Sequence, residues 1–400
     1  MYILYKNIRF LSRSKPFYAR KVHKYVKIVQ IITQKRRKNT KMKKIRVAIF
    51  GLAHPHLSVI RKSMSDRPED FEIIGFADVP PFDGYFHDDL TVSLRDRHGI
   101  KEYSDWKELV AQKPDFAVVT TDNALREEVC CTLLSAGINV LDEKPMALTF
   151  EAAKRMYLTA KENGVKMLVN WPIAGFPPFR LAKKLVDGGK IGKVMRVTYR
   201  SPATWGVFSY SADGELPPEE FLLSSWWYHK ERGGGSVMDY ACYGAMLSTW
   251  IFGKQAERVS GITKNFEVPF ADIEDFSAMM LDFGDGVGLL EGSWSTYNCG
   301  EVPSGPVIHG TKGTIVCDRY SSKVKIYMGR SHKPVEPTEV IDAGMDNQAE
   351  LLGAHLVKVL RGEEKEDEML SAELNLKVVA ALDAGLESAT TGKAVTTKEV

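Results

Sequence analysis

The chain has 400 residues, 44% hydrophobic and 26% charged, the composition of an ordinary globular protein of two domains. No run of 18 apolar residues occurs, which excludes a membrane-spanning helix. The five cysteines (130, 131, 242, 299, 317) contain no CxxC, which argues against a zinc or disulfide scaffold and suits a reduced, cytoplasmic protein.

The net charge of +3 conceals two opposite parts. Residues 1–41 hold 13 Lys and Arg and no acid, so the body carries 41 basic against 51 acidic residues, which argues against nucleic acid as its main partner. The opening segment shows no sustained period. A basic arm and a transit peptide are two readings, but Lys outnumbers Arg and Ser and Ala are few, which suits a transit peptide poorly. Met42, followed closely by an apolar run, reads as the natural start, with residues 1–41 a disordered basic extension.

Ile45 to Phe50 predicts a buried strand ended by Gly51, and Leu57 to Met64 predicts the next helix. The turn between them, Gly51-Leu-Ala53-His54-Pro55-His56, stands where a dinucleotide fold carries GxGxxG. Gly51 keeps the first position, Ala53 is small enough for close approach, and His56 replaces the third glycine. The helix N-terminus offers N–H groups to an anion. His54 and His56 form an HxH pair, but zinc needs three or four ligands, and His87, Asp88 and Asp89 are only loose partners. The pair reads as lining a phosphate turn, without a metal. Phe71 to Asp78 is the second strand. Its terminal Asp78 suits a ribose diol and repels a 2′-phosphate, which favours NAD over NADP. Residues 79–90 form a loop beside the adenosine.

Asp115 to Thr120 predicts a strand, Glu127 to Ala136 a helix and Ile138 to Leu141 another strand, a βαβ unit of parallel type. Glu143-Lys144-Pro145 follows directly, beyond the carboxyl end of a strand, where open α/β sheets bind ligands. Pro145 restricts the backbone of Lys144. By position alone, Lys144 reads equally well as a surface lysine. Val165 to Val169 is one more strand, and Asn170 and Trp171 after it border a pocket. These elements predict a dinucleotide-binding domain over 42–165 and a substrate domain over 166–400.

In the second half, Lys193 to Arg200 alternates like a half-buried strand. Residues 275–294 read as a hairpin through Gly-Asp-Gly, and Val307 to Ile326 as another turning at Thr311-Lys-Gly313. Several strands with few helices predict a mostly antiparallel sheet, closed by helices over 347–361 and 371–390. Trp205, Trp226, Trp227, Tyr228 and His229 form an aromatic-rich region whose faces suit sugar rings, although tryptophans are equally ordinary core residues. Gly233-Gly-Gly leads into a helix on which Asp239 and Tyr243, at i and i+4, share a face. Taken locally, these two are a capping acid and a core tyrosine.

In order and spacing these segments resemble the glucose–fructose oxidoreductase, inositol dehydrogenase and rhizopine-catabolism (Gfo/Idh/MocA) family. Thr121-Asp-Asn123-Ala-Leu-Arg126 is similar to its Thr-Pro-Asn-x-x-His loop, and Ile138 to Thr149 to its most characteristic segment. Ala182 to Val194, Gly233 to Tyr243, Ile308 to Ile315 and Ala384 to Lys393 extend the likeness over 43–400. The chain departs from the pattern in its glycine loop, in Asp122 for Pro, in Arg126 for His, and in Tyr243, where many members carry His.

The resemblance implies a Rossmann domain plus an open-faced sheet used for homodimer or homotetramer contacts. It also implies NAD-dependent hydride transfer at a secondary hydroxyl of a sugar, cyclitol or sugar derivative. Gly51, Ala53, His54, His56, Asp78, Thr121, Asn123, Glu143, Lys144 and Pro145 would bind the cofactor. Lys144, Asn170, Trp171, Trp205, Trp226 and Tyr243 would bind substrate. Lys144, Asp239 and Tyr243 would be catalytic: Tyr243, its pKa lowered by the ammonium of Lys144, or Lys144 itself would handle the hydroxyl proton, with Asp239 orienting Lys144 or the substrate hydroxyl. An NAD-dependent glycosidase, and a silent sugar- or nucleotide-sensing regulator, are the alternatives on the same scaffold.

Overall fold

The computed structural model describes residues 42–79, 90–201, 218–296, 303–345 and 348–400. Trp205, Cys299, the candidates His87, Asp88 and Asp89, the adenosine loop over 80–89 and the segment 1–41 lie outside the described residues.

From Ile45 the chain builds a five-stranded parallel sheet in the order β2-β1-β3-β4-β5. Its strands are β1 (Ile45–Phe50), β2 (Phe71–Ala77), β3 (Phe116–Val119), β4 (Asn139–Glu143) and β5 (Met167–Asn170). Continuous apolar runs such as Phe116-Ala-Val-Val are buried throughout, as strands covered on both faces require. The connecting helices are α1 (Leu57–Ser65), α2 (Trp106–Ala111), α3 (Arg126–Ser135) and α4 (Phe150–Asn163). Thr149 caps α4 by accepting from Ala152 N, and Gly164 ends it at φ 64°. β5 pairs with β4, so this sheet ends at Asn170 rather than at the expected boundary of 165.

After α5 (Pro177–Asp187) comes a second sheet of nine strands, ordered β13-β12-β11-β10-β6-β9-β8-β7-β14. Only β6 (Val194–Arg200) and β9 (Val287–Ser293) run parallel; the other pairs are antiparallel. β7 (Arg258–Lys264) and β8 (Phe276–Asp282) lie beyond β9, with β14 (Val395–Thr396) at that edge. On the other side follow β10 (Val307–Gly310), β11 (Gly313–Val316), β12 (Lys323–Met328) and β13 (Glu339–Asp342). Residues 307–326 therefore hold parts of three strands rather than one hairpin, because buried Cys317 ends β11 and the turn at 318–321 starts a new antiparallel return.

One face of this sheet is covered by α6 (Cys242–Phe252) and α8 (Ala372–Thr391), while α7 (Gln348–Leu360) packs on α1. Ser371 and Gly392 cap the two ends of α8. Among the described residues nothing covers the opposite face, where Ile262 and Met280 are half exposed at 50% and 45%. No described helix is long and apolar enough to cross a membrane.

Candidate active site

Gly51 turns the chain at φ 83°, and a Cβ there would meet the Thr121 backbone N at 2.7 Å; glycine is what lets the turn approach the loop after β3. The turn closes on itself. Leu52 N donates to Asp78 Oδ1 (3.1 Å), Ala53 N to Thr120 O (3.0 Å) and His56 N to His54 Nδ1 (3.2 Å). Leu57 N, Ser58 N and Val59 N donate to His54 O, Pro55 O and His56 O. The expectation that the start of α1 offers free amides to an anion is thus corrected: local turn bonds use them, and the N–H of His54 is the one left over between Gly51 and Val59. Pro55 has none to give, and His56, in place of the third glycine, draws the turn tight through His54.

Glu143 ends β4 fully buried. Its Oε1 meets His56 Nδ1 at 2.8 Å and its Oε2 accepts from Asn170 Nδ2 at 2.8 Å. Burial alone would raise its pKa, but His56, Lys144 and these hydrogen bonds outweigh it and hold the carboxyl below its usual value. His54, His56 and Glu143 bring ligand atoms within 4.8 Å of one another, a third partner that HxH spacing could not show. A cation bound there would compete with hydrogen bonds that already use both Glu143 oxygens. Burial, then the positive neighbours His56, Lys144 and Arg126, push the pKa of His54 well down, so its imidazole is neutral.

The Lys144–Pro145 peptide is cis. Lys144 is buried, and its Nζ donates to Asp239 O (2.9 Å) and Oδ1 (3.1 Å) while lying 4.8 Å from the centre of the Tyr243 ring. Asp239 does not sit in a regular α-helix. Residues Val237–Ala241 form a π-helical turn that runs into α6, and the widened turn presents both the carbonyl and the carboxylate of Asp239 to Lys144. Trp294 Nε1 holds the other carboxylate oxygen at 3.0 Å. The ammonium of Lys144 does lower the Tyr243 pKa, as expected, but the net shift is upward. Burial pushes the phenol up to about 12 despite the nearby ammonium, which faces the ring. Burial would lower the pKa of Lys144, but its neighbours Tyr243, Cys242, Asp239 and Glu143 raise it, so it stays protonated.

Arg126, flagged by sequence only as a departure, is fully buried and ties the two loops together. It donates to Thr121 O (3.4 Å), Glu143 O (2.8 Å) and Pro145 O. Asp122 caps its own turn at Leu125 N (3.0 Å) and pairs with Arg232 at 3.0 Å. Asn123 Nδ2 donates to Gly233 O at 2.7 Å.

Trp226 lies at the nucleotide turn, its Nε1 donating to Ala53 O at 2.9 Å, and Trp227 stacks on His54 at 5.4 Å. The cavity bounded by His54, Asn123, Lys144, Trp227, Gly233 and Asp239 is consequently only about 10 Å³. Two buried polar atoms of its lining, Asn123 Oδ1 and Trp227 Nε1, have no hydrogen-bond partner among the described residues. An unpaired acceptor and donor beside Lys144 suit a polar ligand such as a dinucleotide in their chemistry. The space does not suit it until the Trp226–Trp227 segment moves away from Ala53 and His54.

Lys144, Asp239 and Tyr243 therefore come together, as do the cofactor candidates around the ends of β1, β3 and β4. Trp171 packs edge-on against Tyr243 at 5.4 Å, but its Nε1 is spent on Asn375 Oδ1 (2.7 Å). Asn170 and Trp171 line a separate cavity of about 560 Å³ with His56, Arg180 and α7. Sequence reasoning missed Trp294 and the inward role of Arg126. The one signal for the latter was that Arg126 stands where the resembled family carries His.

Two family models match the chain: residues 45–171 match the oxidoreductase family with an NAD-binding Rossmann fold, and residues 179–316 match the GFO/IDH/MocA C-terminal domain. A levoglucosan dehydrogenase of Pseudarthrobacter phenanthrenivorans is 30% identical over 236 residues, spanning 53% of this chain and 58% of that protein. A trans-1,2-dihydrobenzene-1,2-diol dehydrogenase of Xenopus tropicalis is 24% identical over 79% of this chain and 93% of its own length. A solved levoglucosan dehydrogenase, in complex with NADH and levoglucosan, shares the fold with a TM-score of 0.73 at 19% identity, over 89% of this chain and 100% of that one.

Proposed function

This chain belongs to the Gfo/Idh/MocA oxidoreductase family, and from that premise we propose that it is an NAD-dependent dehydrogenase interconverting a secondary hydroxyl of a sugar, cyclitol or sugar derivative with its ketone. The convergence of Lys144 Nζ, the Asp239 carboxylate and the Tyr243 ring at the carboxyl end of β4 carries this reading. Similarity to a levoglucosan dehydrogenase and a dihydrodiol dehydrogenase supports the substrate class.

Bound NAD supplies the acceptor, or as NADH the donor, of the hydride. Gly51, Ala53, His54, His56, Asp78, Thr121, Asn123, Glu143, Lys144 and Pro145 would hold it, and the Asp78 carboxylate favours NAD over NADP. Proton handling falls to the chain itself. Tyr243 and Lys144 both keep their protons at neutral pH, so the site is set to donate one to a carbonyl oxygen. Oxidation of an alcohol first requires one of them to lose its proton. Asp239, clamped by Trp294 and Lys144, fixes the ammonium in place.

We also assign 42–165 with β5 to the nucleotide-binding domain and the remainder to substrate binding. The open face of the nine-stranded sheet would serve homodimer or homotetramer contacts.

The test is a thermal-shift titration of the full chain with NADH and NADPH separately. A ligand at 100 times its dissociation constant adds about 2.7 kcal/mol. NADH should stabilise more than NADPH, and a panel of sugars and cyclitols should then yield turnover. Stabilisation by neither nucleotide would sink the reading.

A further inference from the structure

Most partly buried arginines of the described structure meet an acid or a carbonyl. Arg67 and Arg361 both meet Asp70, Arg180 meets Asp367, Arg232 meets Asp122, and Arg126 meets three carbonyls. Arg319 is half-buried, yet its guanidinium has no carboxylate or carbonyl partner among the described residues; it lies 5.4 Å from the centre of the Tyr320 ring. The adjacent Asp318 carboxylate is engaged by Tyr320 N at 2.8 Å instead. Holding a guanidinium partly out of water without a counter-charge costs stability unless a ligand provides one.

The fold explains where this cation is aimed. β10 pairs with both β6 and β11, with Val307 opposite Thr198 on one side and Val316 on the other. The turn carrying Arg319 therefore leaves the sheet at the end where Tyr199 lies on β6. Tyr199 in turn packs against Gly244 at the start of α6, next to Tyr243, and Tyr240 lies 6.3 Å from Tyr243. All three tyrosines are buried, and all three interact electrostatically with Arg319. Lys144 is already neutralised by Asp239, so the Arg319 charge is in excess on this side of Tyr243.

We propose that Arg319 recognises an anionic substituent of the substrate, so that the site takes an acidic sugar, bearing a carboxylate or a phosphate, rather than a neutral one. The proposal rests on the dehydrogenase reading for the word substrate, and on Arg319 alone for the word acidic. The planar fork of a guanidinium pairs with two anionic oxygens at once, and the tyrosine hydroxyls beside it can add donors.

The experiment is calorimetric titration of the full chain, with NADH present, against D-glucuronate, D-gluconate, glucose 6-phosphate and D-glucose. It is run on the wild type, Arg319→Met and Arg319→Lys, with unliganded melting temperatures as the check on folding. At least one acidic sugar should bind the wild type on the order of a hundredfold more tightly than glucose. That ratio should collapse towards one in Arg319→Met and survive in part in Arg319→Lys, which also serves if the Met variant does not fold. Preference for the uronate or aldonate over the phosphate, or the reverse, identifies the anion. Equal binding of glucose, binding of no acidic sugar, or an acid preference that persists in Arg319→Met would each overturn the assignment. If acidic sugars bind through Arg319 but none is turned over with NAD or NADH, the dehydrogenase reading fails while the Arg319 assignment stands.

Discussion

At the scale of single residues the chemistry turns on two protons. Tyr243 holds its own until about pH 12 because burial outweighs the charge of Lys144, and Lys144 holds its own because the groups around it are negative or acidic. Reduction needs the acid form, so its rate should be flat through neutrality and fall only in alkali. Oxidation needs the base form, so its rate should climb with pH across the alkaline range. Initial rates in both directions between pH 6 and 11 check this; an oxidation rate that peaks at neutral pH would refute it. Lys144→Ala should lower turnover by roughly 10²–10⁴-fold with little change in fold, the usual weight of a positioned acid or base. Little change in turnover would remove Lys144 from the mechanism.

At the scale of elements, β4 is the strand on which the site depends, and it ends in Asp142 and Glu143, both fully buried. Burial pushes the pKa of Asp142 well up despite Arg126 nearby, at 3.7 Å from its Oδ1. A raised folded-state value means that Asp142 favours the fold fully below its unfolded pKa of about 3.9 and loses that contribution as pH rises towards the folded value. Asp142→Asn does not titrate. Its melting temperature should therefore gain on that of the wild type between pH 4 and pH 8, the gap being smallest at pH 4. A gap independent of pH would show that Asp142 is ionised in the fold. The π-turn at 237–241 belongs to the same scale, since it is the local shape of the helix, more than the i and i+4 spacing, that turns Asp239 onto Lys144.

At the scale of the whole molecule, one face of the large sheet has no covering layer among the described residues. Ser260, Met280, Leu289 and Thr198 lie in one row across β7, β8, β9 and β6, and Ile262, Ala278, Glu291 and Arg200 in the next. Their apolar members Ile262, Ala278, Met280 and Leu289, rimmed by the Arg200–Glu291 pair, fit a contact between copies of the chain. Sedimentation should show a dimer or tetramer for the wild type and a shift to monomer for a double variant Ile262→Glu with Met280→Glu. A wild-type monomer at micromolar concentration would discard this contact.

Local patterns determined which elements form. The apolar run Ile45 to Phe50 reads as a buried strand from its pattern alone, and the position of Glu143-Lys144-Pro145 just past such a strand puts Lys144 at the ligand-binding edge. Asp239 and Tyr243 were legible as partners because four residues of helix bring them near one face. What could not be read from the sequence is whatever depends on groups distant along the chain: Trp294 on Asp239, Arg126 across both loops, Trp226 on Ala53, Glu143 beside His56. Ionisation states are of the same kind. Spacing places a charge beside a phenol, but how far water is excluded decides which way its pKa moves, and that exclusion exists only once the two sheets and their helices have packed.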